Sequence, residues 1–149
     1  MAQVSKHNRA FEDLINSSTS VSNTIYTTPV GERQTMVGMK GNISVAVYDT
    51  SSSAGAVRII IYRSPNGTAD QVVDNAANAE PISEPLSNVV WSYTMVLHES
   101  DRTSYNVPID LKTQRKLFSE DKLKMAWVST SSNLAFSIAY NLNTFILES

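Results

Sequence analysis

The alternation of apolar and polar residues along the chain predicts a protein built mainly of β-strands. Side chains on a strand change faces at every residue, so an apolar residue at every second position marks one buried face. This pattern predicts strands over residues 21–30, 35–49, 56–64, 89–98, 104–115, 123–129 and 134–147. The last is the most regular, since Leu134, Phe136 and Ile138 begin an apolar face that continues in strict alternation to Ile146.

A few residues indicate where individual strands lie in the sheets. The run Ala56–Ser64 is the most apolar, which favours a central strand that is covered on both faces. Pro108 has no backbone N–H to donate, so its strand is expected at a sheet edge or is interrupted there. Gly38 and Gly41 predict a bulge or bend in the strand over residues 35–49.

The N-terminal segment has a different period. Phe11, Leu14 and Ile15 are spaced i, i+3, i+4, which predicts a short amphipathic helix within residues 5–16, capped by Ser5. A single helix of this length is marginal alone and must dock on its own sheet or on a neighbouring subunit. The chain is therefore expected to divide into an N-terminal arm or short helix at residues 1–20 and a β-domain at residues 21–149.

Seven or eight strands joined by polar turns, without alternating helices, indicate an all-β antiparallel sandwich or barrel. The pattern does not give the pairing order, and a jelly roll and an immunoglobulin-like sandwich both fit it. The Cys…Trp…Cys spacing of immunoglobulin domains is absent, because the chain has no cysteine. Residues 68–88 are the least strand-like stretch, and excursions of that length are usually functional or interface loops.

Composition and motifs argue against an enzyme. The 149 residues carry a net charge of −2, two histidines far apart and no cysteine. No glycine-rich phosphate loop, nucleophile elbow or zinc-protease motif is present. No apolar run approaches the roughly 18 residues of a membrane span. We therefore expect no catalytic residues, no metal, no cofactor and no membrane association.

Five of the twelve Lys and Arg residues lie close together near the C-terminus. They are Lys112, Arg115, Lys116, Lys122 and Lys124. One interpretation is a positive face that contacts nucleic-acid phosphates. The other is that they are solvated outer positions of amphipathic strands, some of which protect a sheet edge from mispairing. Glu120 and Asp121 lie among them and reduce the local charge, so the pattern alone favours the second interpretation.

Residues 109–146 also carry a family resemblance. A strand ends in Arg115-Lys116-Leu117, the polar turn Ser119-Glu120-Asp121 follows, Lys122-Leu123 begin a hydrophobic strand, and an alternating strand closes the chain. This arrangement resembles the C-terminal part of capsid proteins of small circular single-stranded DNA viruses of the circovirus-like kind.

The resemblance implies a single eight-stranded jelly roll that self-assembles into an icosahedral shell around a small single-stranded DNA genome. The protein would then be found in the virion and, during assembly, in the host cell. In such a homo-oligomer we expect the subunit contacts to include Phe11, Leu14 and Ile15 of the N-terminal segment and Val72 and Val73 of the long loop. The five C-terminal cations are the expected contacts to DNA.

The chain departs from that family at its N-terminus. Those proteins typically begin with an arginine-rich arm, whereas the first 30 residues here contain Lys6 and Arg9 as their only cations. Packaging of nucleic acid by an N-terminal arm is therefore not expected. The alternative function is an all-β module that binds carbohydrate or a protein partner through its loops.

Overall fold

The computed structural model describes residues 2–16, 21–47, 55–67, 88–97, 104–129 and 135–148. In these ranges the chain forms eight strands: β1 (Ala2–Asn16), β2 (Val21–Thr27), β3 (Gln34–Val47), β4 (Gly55–Ser64), β5 (Val89–Leu97), β6 (Ser104–Leu117), β7 (Lys122–Ser129) and β8 (Ala135–Glu148). The seven strands predicted from alternation are confirmed, with bounds that differ by a few residues. The eighth is β1.

The strands form two four-stranded antiparallel sheets. Sheet A has the order β1-β8-β3-β6, and sheet B has the order β2-β7-β4-β5. Apart from the β4–β5 hairpin, successive strands lie in different sheets, so most connections pass from one sheet to the other. This ordering is that of a jelly roll. It differs from the ABED and CFG sheets of immunoglobulin domains, so that alternative is excluded.

The core lies between the two sheets and is formed by the alternate apolar residues of each strand. Sheet A contributes Met39, Ile43 and Ile138, among others, and sheet B contributes Ile59 and Trp127, all fully buried. Strand β4 is central in sheet B, as its apolar run predicted. Its opposite face holds a second small buried cluster, made of Ile60, Tyr62 and Ala126.

The predicted N-terminal helix is wrong, because residues 2–16 form the edge strand β1. This strand pairs with β8 from Ala2↔Glu148 to Asn16↔Ala135, with a register shift between Glu12 and Ile15. Main-chain pairing over this length outweighs the weak helical preference of one short segment. The register shift interrupts the period of two, which explains why the alternation typical of a strand is hidden in the sequence.

The inward face of β1 is unusually polar. Lys6 and Asn8 pair with the buried residues Thr144 and Leu142 of β8, so the register places them on the core side. Asn8 Oδ1 and Thr144 Oγ1 are buried and have no hydrogen-bond partner within the described part of the chain. Of the described side chains of β1, Val4 and Ala10 pack against the hydrophobic core. Among the described side chains of β1, these two make the apolar contact with the core, whereas the backbone pairs with β8 from Ala2 to Asn16.

Strand β3 contains the irregularity that its glycines predicted. Its register with both neighbours shifts between Met36 and Gly38. A Cβ atom on Gly38 would lie 2.8 Å from the Leu111 backbone oxygen, and one on Gly41 would lie 2.0 Å from that of Asn141. The neighbouring backbones therefore occupy the space that a side chain would need.

Three turns at one end of the sandwich are joined by Asp121. Its carboxylate is 4% exposed and accepts hydrogen bonds from the backbone N–H groups of Phe118 (2.9 Å) and Asn66 (3.0 Å). Arg63 Nη1 lies 3.5 Å from the same carboxylate. The backbone oxygen of Asp121 also accepts from Thr28 N at 2.9 Å. The turns after β2, β4 and β6 thus share one buried anchor.

Candidate nucleic-acid interface

The outer face of sheet A is built from rows of residues that lie side by side across its four strands. One row contains Ser5, Phe145, Gly38 and Lys112, and the next contains His7, Asn143, Lys40 and Asp110. Because each strand presents alternate residues to this face, the register brings together positions that are far apart in the sequence.

This face is positively charged although the whole chain is slightly negative. Its charged side chains among the described residues are the cations Arg9, Lys40, Lys112 and Lys116 and the single carboxylate Asp110, all exposed. Strand β8 adds no charge between them, and its outward residues there include Asn141 and Asn143. A cationic face with neutral amides can contact an anionic polymer along its length.

A groove of about 410 Å³ crosses the same face beside the β3 bulge. Its lining includes Lys40, Lys112, Phe145, Gln3 and Gln114. The register places Gly38 between Phe145 and Lys112, and Gly38 lies in the lining of the groove. The groove therefore combines an aromatic ring, two ammonium groups, two carboxamides and the Asp110 carboxylate.

Two hydrogen bonds fix the edge strand beside this groove. Ser5 Oγ donates to Asn143 Oδ1 at 3.4 Å, and the His7 ring donates from Nε2 to Asn141 Oδ1. These bonds link outward side chains of β1 to outward side chains of β8. They position the β1 side of the face relative to Phe145.

The five predicted cations do not lie on one face. Lys112 and Lys116 are on the outer face of sheet A, whereas Lys122 and Lys124 alternate with the buried residues of β7 and lie on the outer face of sheet B. Arg115 is partly buried, and its Nη2 donates to the Val89 backbone oxygen at 2.9 Å. It therefore links strand β6 of sheet A to strand β5 of sheet B.

The outer face of sheet B offers a smaller polar site. Lys122 and Lys124 line an open cavity of about 140 Å³ together with Asn66 and Glu120. Asn66 Nδ2 donates to Glu120 Oε2 at 3.3 Å. The two ammonium groups and one carboxylate of this cavity match the charge of the groove on sheet A, so the two sites differ in size and in the further cations Arg9 and Lys116 on the sheet A face.

The predicted subunit contacts are placed only in part. Phe11, Leu14 and Ile15 belong to strand β1, and their side chains lie outside the described part of the structure. Val72 and Val73 lie outside the described residues altogether. Their role in subunit contacts stays a prediction.

Comparison with solved structures finds other chains that are similar to this one in fold. A chain in the structure of infectious bursal disease virus, Gx strain, superposes on this one with a TM-score of 0.51 at 11% sequence identity, covering 96% of this chain. The two chains share a fold. The chain spans about a third of the viral one (32%). At this identity the likeness concerns the fold alone.

Two further structures are more distant. Eiger TNF from S. frugiperda has a TM-score of 0.46 at 8% identity, covering 99% of this chain and 93% of the other. The structure of Desmodium yellow mottle tymovirus has a TM-score of 0.36 at 9% identity, covering 95% and 86%. No protein-family model matches the sequence. No curated protein matches it either.

The groove residues fit recognition of nucleic acid better than catalysis. An aromatic ring stacks on bases, and ammonium groups contact phosphates. In the ranges that the structure describes, no three His, Asp or Glu side chains are grouped so that they could hold a metal ion. Over the same ranges, no helix has the length and apolarity needed to cross a bilayer.

Sequence reasoning missed four of the residues on this face. Arg9, Lys40, Gln3 and Phe145 come from three strands, and only the register places them on the same face as Lys112. Alternation in β3 and β8 does indicate that Lys40 and Phe145 point away from the core. What the sequence lacks is the information that β1, β8, β3 and β6 are neighbours.

Proposed function

We propose that the protein is a structural subunit of a viral capsid, which self-assembles into an icosahedral shell around a small single-stranded DNA genome. In this proposal the outer face of sheet A is turned toward the nucleic acid, and the chain has no catalytic role. The protein is a component of the virion and is assembled in the host cell. The observation that carries the proposal is a jelly roll that has one cationic, amide-rich sheet face with an aromatic groove.

Two independent features support it. The jelly-roll fold is shared with a chain of a virus structure, as described above. Residues 109–146 resemble circovirus-like capsid proteins, and this resemblance is the support for a single-stranded DNA genome. On the face of sheet A, Lys40, Lys112 and Lys116 add to Arg9, one of the two cations of the N-terminal segment.

The first experiment tests assembly. The purified chain is expected to form large uniform particles, seen by size-exclusion chromatography with light scattering and by negative-stain electron microscopy. A protein that stays monomeric at high concentration, in the presence and absence of single-stranded DNA, would contradict the shell. Specific binding of such a monomer to a glycan array would instead favour the alternative of a carbohydrate-binding module.

The second experiment tests the nucleic-acid face with a charge-matched pair of variants. Lys40→Glu/Lys112→Glu reverses two charges beside the groove, and Lys122→Glu/Lys124→Glu reverses the same number on sheet B. Binding of a labelled single-stranded oligonucleotide is measured by fluorescence anisotropy across a salt series. Each lost phosphate contact lowers the slope of log K against log salt by about 0.7, so the first variant is expected to lose about 1.4.

The comparison between the two variants decides the result. Weakening of about ten-fold or more at moderate salt is expected for the sheet A variant alone, since both lost contacts are on that face. Equal weakening in both variants would mean that the interaction depends on net charge and not on the face of sheet A. A variant of the ring, Phe145→Leu, is expected to reduce affinity without changing the salt slope, because stacking is not electrostatic.

The proposed subunit contacts are tested separately. Val72→Asp/Val73→Asp places two carboxylates in the segment over residues 68–88, and it is expected to reduce particle yield while the isolated subunit stays folded by circular dichroism. The same logic applies to Leu14→Asp in the N-terminal segment. Normal particles from both variants would show that these residues are not assembly contacts.

A further inference from the structure

Among the residues that the structure describes, the sandwich has four sheet edges without a paired strand, and they differ in how well they are protected against pairing with another chain. The edge strands are β1 and β6 in sheet A and β2 and β5 in sheet B. Proteins usually protect such edges with charges, prolines, bulges or short strands, because unpaired N–H and C=O groups bind any available strand.

Three of the edges carry such protection. Strand β1 contains Lys6, Arg9, Glu12 and Asp13, and β6 contains an exposed Pro108 with exposed charges at Asp110, Lys112 and Lys116. Strand β2 has seven residues, and its register shifts between Thr24 and Tyr26. Each of these devices interrupts or repels a pairing strand.

Strand β5 lacks these devices over most of its length. Its sequence, VVWSYTMVL, has no charged residue and no proline. Its only irregularity with β4 lies at its beginning, so the register is continuous from Trp91 to Leu97. Residues Ser92, Tyr93, Thr94 and Val96 are exposed along it. This strand is long, uncharged and rich in residues that favour β-structure.

We propose that β5 pairs antiparallel with β5 of a second copy of the chain, across a two-fold axis close to Thr94. The two copies of sheet B then form one continuous eight-stranded sheet. The inference rests on the proposed self-assembly and names one of its contacts. A second copy is the occupant because a two-fold axis at Thr94 places Thr94 opposite Thr94 and Ser92 opposite Val96, so the uncharged strand meets its copy without charge repulsion.

The pairing also buries the apolar side chains that border this edge. Tyr93 is 44% exposed and Val96 is 60% exposed, and they point to opposite faces of the sheet. Trp91 and Tyr93 stack, with ring centroids 6.1 Å apart and an interplanar angle of 7°. A second β5 beside them removes apolar surface from water on both faces while satisfying the open backbone groups.

The test uses the absence of cysteine, since every disulfide formed by a single introduced cysteine joins two chains. The single variants are Ser92→Cys, Thr94→Cys and Val96→Cys. Directly opposite residues in an antiparallel pair have Cα atoms about 4.5–5.5 Å apart, within the range of a disulfide. The matched control is Asn106→Cys, an exposed position on the edge strand β6.

Thr94→Cys is expected to form a covalent dimer rapidly under mild oxidation, whereas Asn106→Cys is not. If the axis lies at a neighbouring residue, the dimer forms instead from Ser92→Cys, from Val96→Cys or from an equal mixture of two variants. Any of these results still supports the pairing. No dimer from any variant or mixture would overturn the proposal. So would equal cross-linking of Asn106→Cys, because that result reports random collision.

A second variant tests the same contact without disulfide cross-linking. Thr94→Lys places two ammonium groups opposite each other at the axis, and it is expected to weaken the β5 contact by about five-fold or more, whereas Asn106→Lys leaves it unchanged. The apparent dissociation constant is measured by analytical ultracentrifugation. An unchanged constant in Thr94→Lys would contradict the pairing.

The two proposals fail in different ways. Particles that form without any cross-link at β5 would support the proposed shell and show that β5 is not one of its contacts. Cross-linking at β5 without particles would retain the pairing of two copies and contradict the shell.

Discussion

Asp121 provides a direct test of how the turns hold the sandwich together. Replacing it with alanine removes the acceptor for the backbone N–H groups of Phe118 and Asn66, at 2.9 and 3.0 Å. It also removes the ionic contact to Arg63. The site is nearly inaccessible to water, so the two N–H groups are not readily satisfied by solvent.

The magnitude follows from these contacts. A hydrogen bond to a charged group contributes about 1.5–3 kcal/mol, and there are two of them. The ionic contact adds at most about 1 kcal/mol, because the Arg63 side chain is 25% exposed and partly screened. Asp121→Ala is therefore expected to lower the free energy of unfolding by about 3–7 kcal/mol, a large share of the 5–15 kcal/mol typical of a domain.

Two further variants separate this effect from a general change of charge. Asp121→Asn keeps one acceptor and turns an NH₂ group toward the other backbone N–H, so we expect about half the loss, roughly 2 kcal/mol. Glu120→Gln is the neighbouring control. Glu120 is exposed, and its contact to Asn66 Nδ2 is 3.3 Å, so the change is expected to cost about 0.5 kcal/mol or less.

Urea unfolding followed by circular dichroism measures these differences. Protein concentration is held fixed below the onset of assembly, because association stabilises the folded chain by mass action. The slope with urea must agree among the variants for the comparison to be valid. A loss below about 1 kcal/mol in Asp121→Ala, or an equal loss in Glu120→Gln, would refute the role assigned to this anchor.

Three other variants test separate features. Gly41→Ala forces a Cβ atom to within 2.0 Å of the Asn141 backbone oxygen, so a loss of at least about 3 kcal/mol is expected in the same urea assay. Arg115→Met removes the bond to the Val89 oxygen, and we expect it to cost about 1–3 kcal/mol while oligonucleotide affinity changes less than in Lys40→Glu/Lys112→Glu. Burial raises the pKa of Tyr26 above its usual 10.0; its hydrogen bond to Gln34 opposes this rise, and the carboxylates of Glu148 and Glu32 add to it. The raised pKa of Tyr26 therefore stabilises the folded state fully below about pH 10, and this stabilisation is lost as the pH rises through the higher pKa of the folded state. In Tyr26→Phe, urea midpoints measured against pH should not show this alkaline decline.

Most strands could be predicted from the sequence because their inward residues are apolar. Strand β8 is the clearest case, since Ile138, Tyr140, Leu142 and Ile146 fall on one buried face, with the polar Thr144 at the one remaining position. Strand β1 could not be predicted, because polar residues occupy inward positions and the register shifts before Ile15. Its pairing with β8 depends on residues more than a hundred positions away, and no local pattern encodes that contact.

The candidate interface was predicted only in part for a related reason. Alternation shows that Lys112 and Lys124 both point away from the core, but it does not show that their strands lie in different sheets. The same limit explains Arg115, whose partner Val89 is on the opposite sheet. Side-chain direction is a local property of a strand, whereas the identity of a face depends on the whole topology.

The pairing of the edge strand β1 with β8 has a consequence for aggregation of the folded protein. Strand β8 lies beside β1 in sheet A, and the only charge among its fourteen residues is Glu148 at the end. If β1 detached, a long neutral strand would be left bare and would recruit strands from other molecules. Strand β1 thus covers the pairing edge of β8, and truncating it is expected to increase amorphous aggregation of the protein.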